Sequence, residues 1–251
     1  MNKSEREAGS ADFGFRRVEA ADKPGLVRDV FDSVAPRYDL MNDLMSGGIH
    51  RLWKQAMIDW LGPRPGWHVL DVAGGTGDIA LRMLERVTLH VTVCDLTPKM
   101  LGTGRDRALD LGRTDGIDWI CGDAELLPIA DNACDAYTIA FGLRNVTHID
   151  RALAEARRVL KPGGRFLCLE FSRVILPVLG RLYDLYSFQV LPALGALVAG
   201  DRAAYEYLVE SIRRFPAQAE LAEMLRAAGF DMVKLRNLSG GIAALHSAWR
   251  L

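Results

Sequence analysis

Asp71-Val72-Ala73-Gly74-Gly75-Thr76-Gly77-Asp78 is the stretch on which the fold turns. It closes an apolar, β-branched run, His68–Val72, and opens a helical pattern that continues to about residue 86. Strand, glycine turn and helix make the first half of a βαβ unit. Glycines at such a turn let the backbone bend sharply and approach a ligand, with the first N–H groups of the helix aimed at it. Gly75-Thr76-Gly77 followed by Ala80 also satisfies the dinucleotide spacing G-x-G-x-x-G/A. The glycines therefore leave more than one adenosine cofactor open.

The same alternation repeats along the chain. His90–Asp95 reads as a strand, followed by a helix from Pro98 towards Leu111; Ile117–Cys121 is a short strand and 134–141 another. A helix over 149–160 buries Ala152, Ala156, Val159 and Leu160, stops at Lys161-Pro162-Gly163-Gly164, and hands over to a strand at 165–171. Strands alternating with helices predict an α/β fold with a parallel sheet covered on both faces. The end of the chain breaks the pattern. After a helix at 221–228, the strands 232–238 and 241–249 are separated only by Ser239-Gly240-Gly241, so they pair antiparallel. The expectation is a mostly parallel, seven-stranded, Rossmann-like sheet with a C-terminal antiparallel hairpin. Its ligand site lies beyond the carboxyl ends of the strands.

The rest of the composition narrows the class. A net charge of -1 over 251 residues gives no electrostatic reason to expect nucleic acid. Cys94, Cys121, Cys134 and Cys168 are far apart in strand-like stretches, which reads as reduced thiols rather than a disulfide or zinc framework. No ligand pattern suggests a metal. Residues 1–25 read as a polar tail without a secretory or transit signal, which places the protein in the cytoplasm. Residues 26–251 then form one domain, with a helical cap at 26–62 and an apolar, lid-like insertion at 174–215. Its uncharged stretch is interrupted by Pro192 and is too short to span a bilayer.

Acidic residues surround the glycine loop. A dinucleotide would bring its pyrophosphate to the helix N-terminus, against Asp78, whereas an ammonium and a sulfonium would be drawn to Asp71 and Asp78. A helix-dipole role for Asp78 and a backbone-satisfied carboxylate at Asp71 are the plainer alternatives. Asp95 closes its strand where a carboxylate accepts hydrogen bonds from both ribose hydroxyls, which either cofactor requires. In Gly122-Asp123-Ala124-Glu125, a carboxylate can accept from an adenine amino group while the next backbone N–H donates to the ring; a solvated acidic turn reads equally well.

With these residues in view, the chain resembles the ubiquinone/menaquinone biosynthesis C-methyltransferase family from Phe13 to its end. The resemblance rests on Tyr38-Asp39-Leu40-Met41-Asn42-Asp43, on Gly48-Ile49-His50-Arg51-Leu52-Trp53-Lys54, on the glycine loop and on Phe141-Gly142-Leu143-Arg144-Asn145-Val146. The Lys161-Pro162-Gly163-Gly164 stop is less specific. It implies a class I methyltransferase fold, S-adenosylmethionine as cofactor, and methylation of a ring carbon on a polyprenylated benzoquinol or a demethylmenaquinol. It carries cofactor roles onto Thr76, Asp95, Asp123 and Ala124. Two positions depart from the family pattern. Ala140 stands where serine is frequent, so any cofactor contact there is backbone or apolar, and Asp123 stands where Asn is frequent.

Carbon methylation needs an electron-rich ring aligned with the sulfonium methyl, and a base or a phenolate-stabilising cation nearby. Arg144, a poor base, is expected to stabilise the phenolate and Asn145 to orient it, the competing role for Arg144 being a structural ion pair. Tyr38, His50 and His148 are candidate bases, whereas His68 and His90 read as structural. The apolar segment 174–200 is a candidate lid, a contact with the inner face of a membrane, or a core helix pair. A quinone-biosynthesis complex and a homo-oligomer are open. A nicotinamide oxidoreductase and a non-catalytic, cofactor-binding scaffold are the competing functions.

Overall fold

The structure, a computed structural model, describes residues 9–35, 38–175 and 202–251, without the side chains of residues 38–41. The expected lid at 174–200 falls almost wholly outside the described residues.

Seven strands form one sheet in the order β5-β4-β3-β6-β7-β9-β8. They are β3 His68–Val72, β4 His90–Asp95, β5 Ile117–Cys121, β6 Cys134–Ala140, β7 Leu160–Phe171, β8 Asp231–Leu238 and β9 Ala243–Trp249. The first five run parallel, while β9 lies antiparallel between β7 and β8. From β3 the chain winds outward through β4 to β5, then returns to β6 on the other side of β3. The loops leaving β3 and β6 therefore diverge, and the crevice between them is where open α/β sheets bind ligands.

Burial on both faces follows from the alternation of side chains along each strand. On β3, Val69 joins Met57, Ile58, Leu61 and Met83 on one face. Its neighbours Leu70 and Val72 join Tyr137, Leu153 and Phe166 on the other. Each such large side chain contributes about 1.5–3 kcal/mol on leaving water.

Three stretches differ from the sequence reading. Residues 10–19 are not a featureless polar tail. They form a hairpin, β1 Ser10–Phe13 with β2 Arg16–Glu19, which buries Ala11 and Phe13. Alternation over only four residues per strand is too short a signal to separate from a polar tail. Next, the helical cap begins with α1, Lys23–Val34, whose Pro24 suits a first turn and whose Val27, Phe31 and Val34 form one buried stripe. It continues through α2, Tyr38–Ser46, to α3, His50–Leu61. This last helix is a core element, with Trp53 edge-on to Phe171 at 5.8 Å. Finally, the helix Ile149–Val159 stops as expected, but β7 begins at Leu160 and not at residue 165. Leu160 pairs with Cys134, and Gly163 and Gly164 exchange backbone hydrogen bonds with Arg250. Gly163, at φ +81°, turns the backbone there, and the pairing register shifts between Cys134–Leu160 and Ala136–Arg165.

The remaining described helices are α4 Asp78–Leu84, α5 Pro98–Asp110, α6 Ile149–Val159, α7 Arg202–Arg214 and α8 Gln218–Ala227. None of the described helices is long and apolar enough to cross a membrane.

Candidate functional site

A cavity of about 720 Å³ opens at the carboxyl tips of β3, β4, β5 and β6. Gly75, Asp95, Asp123, Ala124, Phe141 and Asn145 line it, with Val27 and Phe31 of α1 as an apolar wall.

Asp95 organises this cavity. Its Oδ2 accepts from the Gly75 N–H and its Oδ1 from the Thr97 N–H, both at 2.8 Å. The carboxylate thus ties the glycine loop to the tip of β4, and each oxygen keeps a lone pair for a ribose hydroxyl. Burial pushes this carboxyl up, against the two backbone hydrogen bonds. Asp123 folds its Oδ1 back onto the Glu125 N–H at 2.9 Å, which sets the backbone of Ala124 at the cavity edge. Glu125 Oε1 accepts from the Thr147 and His148 N–H groups and joins this loop to the start of α6.

A smaller recess of about 330 Å³ adjoins the cavity through Ala73 and Phe141, which line both. Lys54, Asp71, Gly74, Thr76, Asp78 and Ala140 complete it. Asp71 is buried and accepts a hydrogen bond from Thr138 on Oδ1 at 2.7 Å, whereas its Oδ2 has no partner. Burial raises this carboxyl to about 7. An orphaned, buried carboxylate oxygen costs free energy unless a cation meets it, so the recess fits the ammonium of an amino acid. Asp78 is different, because its charge is spent. Lys54 Nζ donates to it at 2.8 Å and Arg82 Nε at 3.1 Å, with Arg107 3.8 Å away. Burial alone would raise the Asp78 carboxyl, but Lys54 and the two arginines hold it below the usual range. The attraction for an incoming cation read into Asp78 therefore rests on Asp71. Lys54, buried on α3, is the site residue the sequence reading missed; its place in the conspicuous Trp53-Lys54 run was the available signal.

The glycines divide in the same way. Gly75 lines the cavity and Gly74 the recess, but Gly77 lines neither. It is glycine because its φ is +71° and a Cβ there would stand 2.5 Å from Trp119. Beyond β6, a Cβ on Gly142 would come 2.3 Å from that of Ala73. Two non-glycine residues at this junction, Ala73 at φ 50° and Phe141 at φ 59°, hold left-handed backbone. Such conformations cost about 1–3 kcal/mol each and concentrate at functional sites.

Arg144 is not presented to a ligand as an unpaired cation. Its Nη1 donates to Glu170 Oε2 at 2.9 Å and to the Phe141 carbonyl, and both partners of the ion pair are 1% exposed. Burial pushes the Glu170 carboxyl up against the pull of Arg144. The structural ion pair weighed as the alternative is what the geometry contains; a cation sealed inside the sheet finds its counter-charge on the neighbouring strand. Asn145, one residue on, does face the cavity. Tyr38 starts α2, but its side chain lies outside the described residues. His50 is buried with Nε2 2.9 Å from Asp43 Oδ1, and burial and Lys54 lower its basicity. His148 precedes α6 as its N-cap. His68 and His90 sit at the opposite, amino edge, bonded to Thr92 and Asp118. Cys94, Cys134 and Cys168 are buried thiols; Cys121 is exposed, because it ends its strand.

Against this geometry, a family model described as the ubiE/COQ5 methyltransferase family matches residues 17–250. A ubiquinone/menaquinone biosynthesis C-methyltransferase of Brucella abortus (strain S19) is 59% identical over 243 residues, 95% of this chain and 90% of the relative. Its counterpart in Paracoccus denitrificans (strain Pd 1222) is 61% identical over 240 residues, 95% of this chain and 96% of the relative. Among solved structures, a SAM-dependent methyltransferase of Thermotoga maritima superposes with TM-score 0.65 at 20% identity, covering 90% of this chain and 100% of its own. A phosphoethanolamine N-methyltransferase of Haemonchus contortus in complex with S-adenosyl-L-methionine gives TM-score 0.59 at 15% identity, covering 79% of this chain and 52% of its own. At that identity the structures speak for the fold.

Proposed function

The chain belongs to the ubiE/COQ5 methyltransferase family, and on that premise we propose that it methylates a ring carbon of a polyprenylated benzoquinol, a demethylmenaquinol, or both. The enzyme is an S-adenosylmethionine-dependent C-methyltransferase of ubiquinone/menaquinone biosynthesis, and a quinol is its substrate. Neither the oxidoreductase nor the scaffold reading is favoured. The observation that carries the assignment of the site is Asp95, locked by two backbone amides with lone pairs left over, at the mouth of a cavity next to an orphaned Asp71 oxygen.

When bound, the cofactor supplies an electrophilic methyl group on a positively charged sulfur. Asp95 accepts from the ribose hydroxyls, Asp123 from the adenine amino group, and the Ala124 N–H donates to the ring. Gly75 contributes its backbone. In the recess, Asp71 receives the ammonium, with Thr76, Gly74 and Ala140 as walls, Ala140 offering only backbone and a methyl group. Val27, Phe31 and Phe141 exclude water and confine the substrate ring. In well-oriented reactions such positioning accounts for about 7–11 kcal/mol of the barrier. Asn145 orients a ring oxygen, and Arg144, through Glu170, fixes the turn that presents Asn145. Tyr38 is the candidate base of the amino-terminal helices.

The isoprenoid tail of such a substrate resides in lipid, which supports a cytoplasmic protein that touches the inner membrane face peripherally, alone or within a biosynthetic complex or homo-oligomer. The decisive test supplies S-adenosylmethionine with a demethylated benzoquinol and, separately, a demethylated naphthoquinol. One acceptor or both should gain the mass of a methylene group. No gain on either, with the cofactor bound, would overturn the reading.

A further inference from the structure

Asn145 is one residue from the buried ion pair, yet its side chain is held from elsewhere. The Tyr207 hydroxyl, on α7, donates to Asn145 Oδ1 at 3.0 Å. Burial pushes the Tyr207 phenol far above its ordinary range, so it stays protonated and remains a donor. Tyr207 is itself braced. Its ring stacks on Phe13 of the β1–β2 hairpin at 4.2 Å between centroids, and the hairpin is anchored to the same helix by the Phe15 N–H, which donates to Glu210 Oε2 at 2.9 Å. An amide whose carbonyl oxygen is engaged in this way has its N–H pair left to offer, and Asn145 lines the cavity.

We propose that Tyr207, braced by Phe13, is a positioning residue that fixes the Asn145 amide so that its N–H pair, and not its carbonyl, meets a ring oxygen of the quinol. This rests on the methyltransferase reading above. It also gives the amino-terminal hairpin a part in the active site: the hairpin clamps the ring whose hydroxyl sets the polarity of one hydrogen-bonding group. A donor aimed at a developing phenolate stabilises the transition state; a carbonyl in its place would repel it.

The test compares Tyr207→Phe, Asn145→Ala and the double variant in methyl transfer to a short-chain demethylated quinol, with cofactor affinity measured by calorimetry. Tyr207→Phe should lower kcat about 3- to 10-fold, the worth of one hydrogen bond, with the cofactor Kd unchanged. The double variant should be no slower than Asn145→Ala, because the hydroxyl acts only through the amide. Phe13→Ala should lower kcat in the same direction by less. Full kcat in Tyr207→Phe, or losses that multiply in the double variant, would overturn the proposal. Nitrogen-15 NMR of the Asn145 side-chain amide decides the matter without turnover. Its signals should shift and broaden in Tyr207→Phe, and unaltered signals would also refute the brace. Absence of product from the unaltered protein would instead remove the functional reading and leave the NMR result to judge the brace.

Discussion

Two turns leave adjacent strand tips and touch, Ala73 of the turn after β3 against Gly142 of the turn after β6, yet they dispose of their charges in opposite ways. After β3, Asp71 keeps one carboxylate oxygen without a partner, and Asp95 from β4 reaches across with hydrogen-bonding capacity to spare. After β6, Arg144 is sealed against Glu170 and the Phe141 carbonyl. Both turns include a residue in left-handed backbone, and both are rich in the residues by which the family resemblance is recognised. The contrast teaches that a charged residue in a specific motif can serve geometry. What separates the two is charge: Arg144, although its Nε also lacks a partner, has its counter-ion in Glu170, whereas Asp71 has none among the described residues.

That contrast can be broken most forcefully at Glu170. Glu170→Ala should cost about 3–5 kcal/mol of folding stability in urea denaturation, since it strands a buried guanidinium; replacing both partners with apolar residues of similar volume should cost far less. A Glu170→Ala protein as stable as the unaltered one would mean that Arg144 is free to act on substrate after all. On the other turn the same kind of change should strike the ligand. Asp95→Ala is expected to lose about 1.5–3 kcal/mol of S-adenosylmethionine affinity by calorimetry, and an unchanged Kd would remove Asp95 from the site.

The smallest effect sharpens the contrast through pH. The folded state raises the Asp71 carboxyl from 3.8 to about 7, so its proton favours the fold. That contribution is complete below 3.8 and is lost as pH rises through about 7. Cofactor binding should run the other way, because the ammonium needs the ionised form, whose fraction climbs from roughly a tenth to nine-tenths across the two pH units centred there. Affinity should therefore strengthen from about pH 6 to about pH 8, and Asp71→Asn should flatten the profile. An equal slope in that variant would assign the titration to another group.

The sheet was legible because its signals are local. A five-residue apolar run before a glycine turn, as at His68–Val72, or a β-branched run ending in Asp95, needs no knowledge of the rest of the chain. The β1–β2 hairpin was not, since its few apolar residues become a core only against Tyr207 and α1. Lys161-Pro162-Gly163-Gly164 stopped the helix as read, but its membership of β7 was not visible. Those residues disfavour a helix and turn at Gly163, and their tie to the sheet comes through Arg250 at the chain's end. Within the site, Asp95 was readable from its place at a strand end, whereas Lys54 lies far from the glycine loop in sequence and meets it only through the packing of α3.

Reading along the chain sufficed for a mostly parallel seven-stranded sheet with a reversed tail, for the family, and for the cofactor that the family uses; the order of the strands came from the fold. Periodicity, turn residues and motif spacing are properties of neighbours along the chain. Which charges remain available emerges from the packing: Asp78 is neutralised by Lys54 and two arginines, Arg144 belongs to Glu170, and Asn145 is held by Tyr207. The reason is physical. An ion's influence depends on what lies within a few ångströms of it once water is excluded, and those neighbours come from distant parts of the chain.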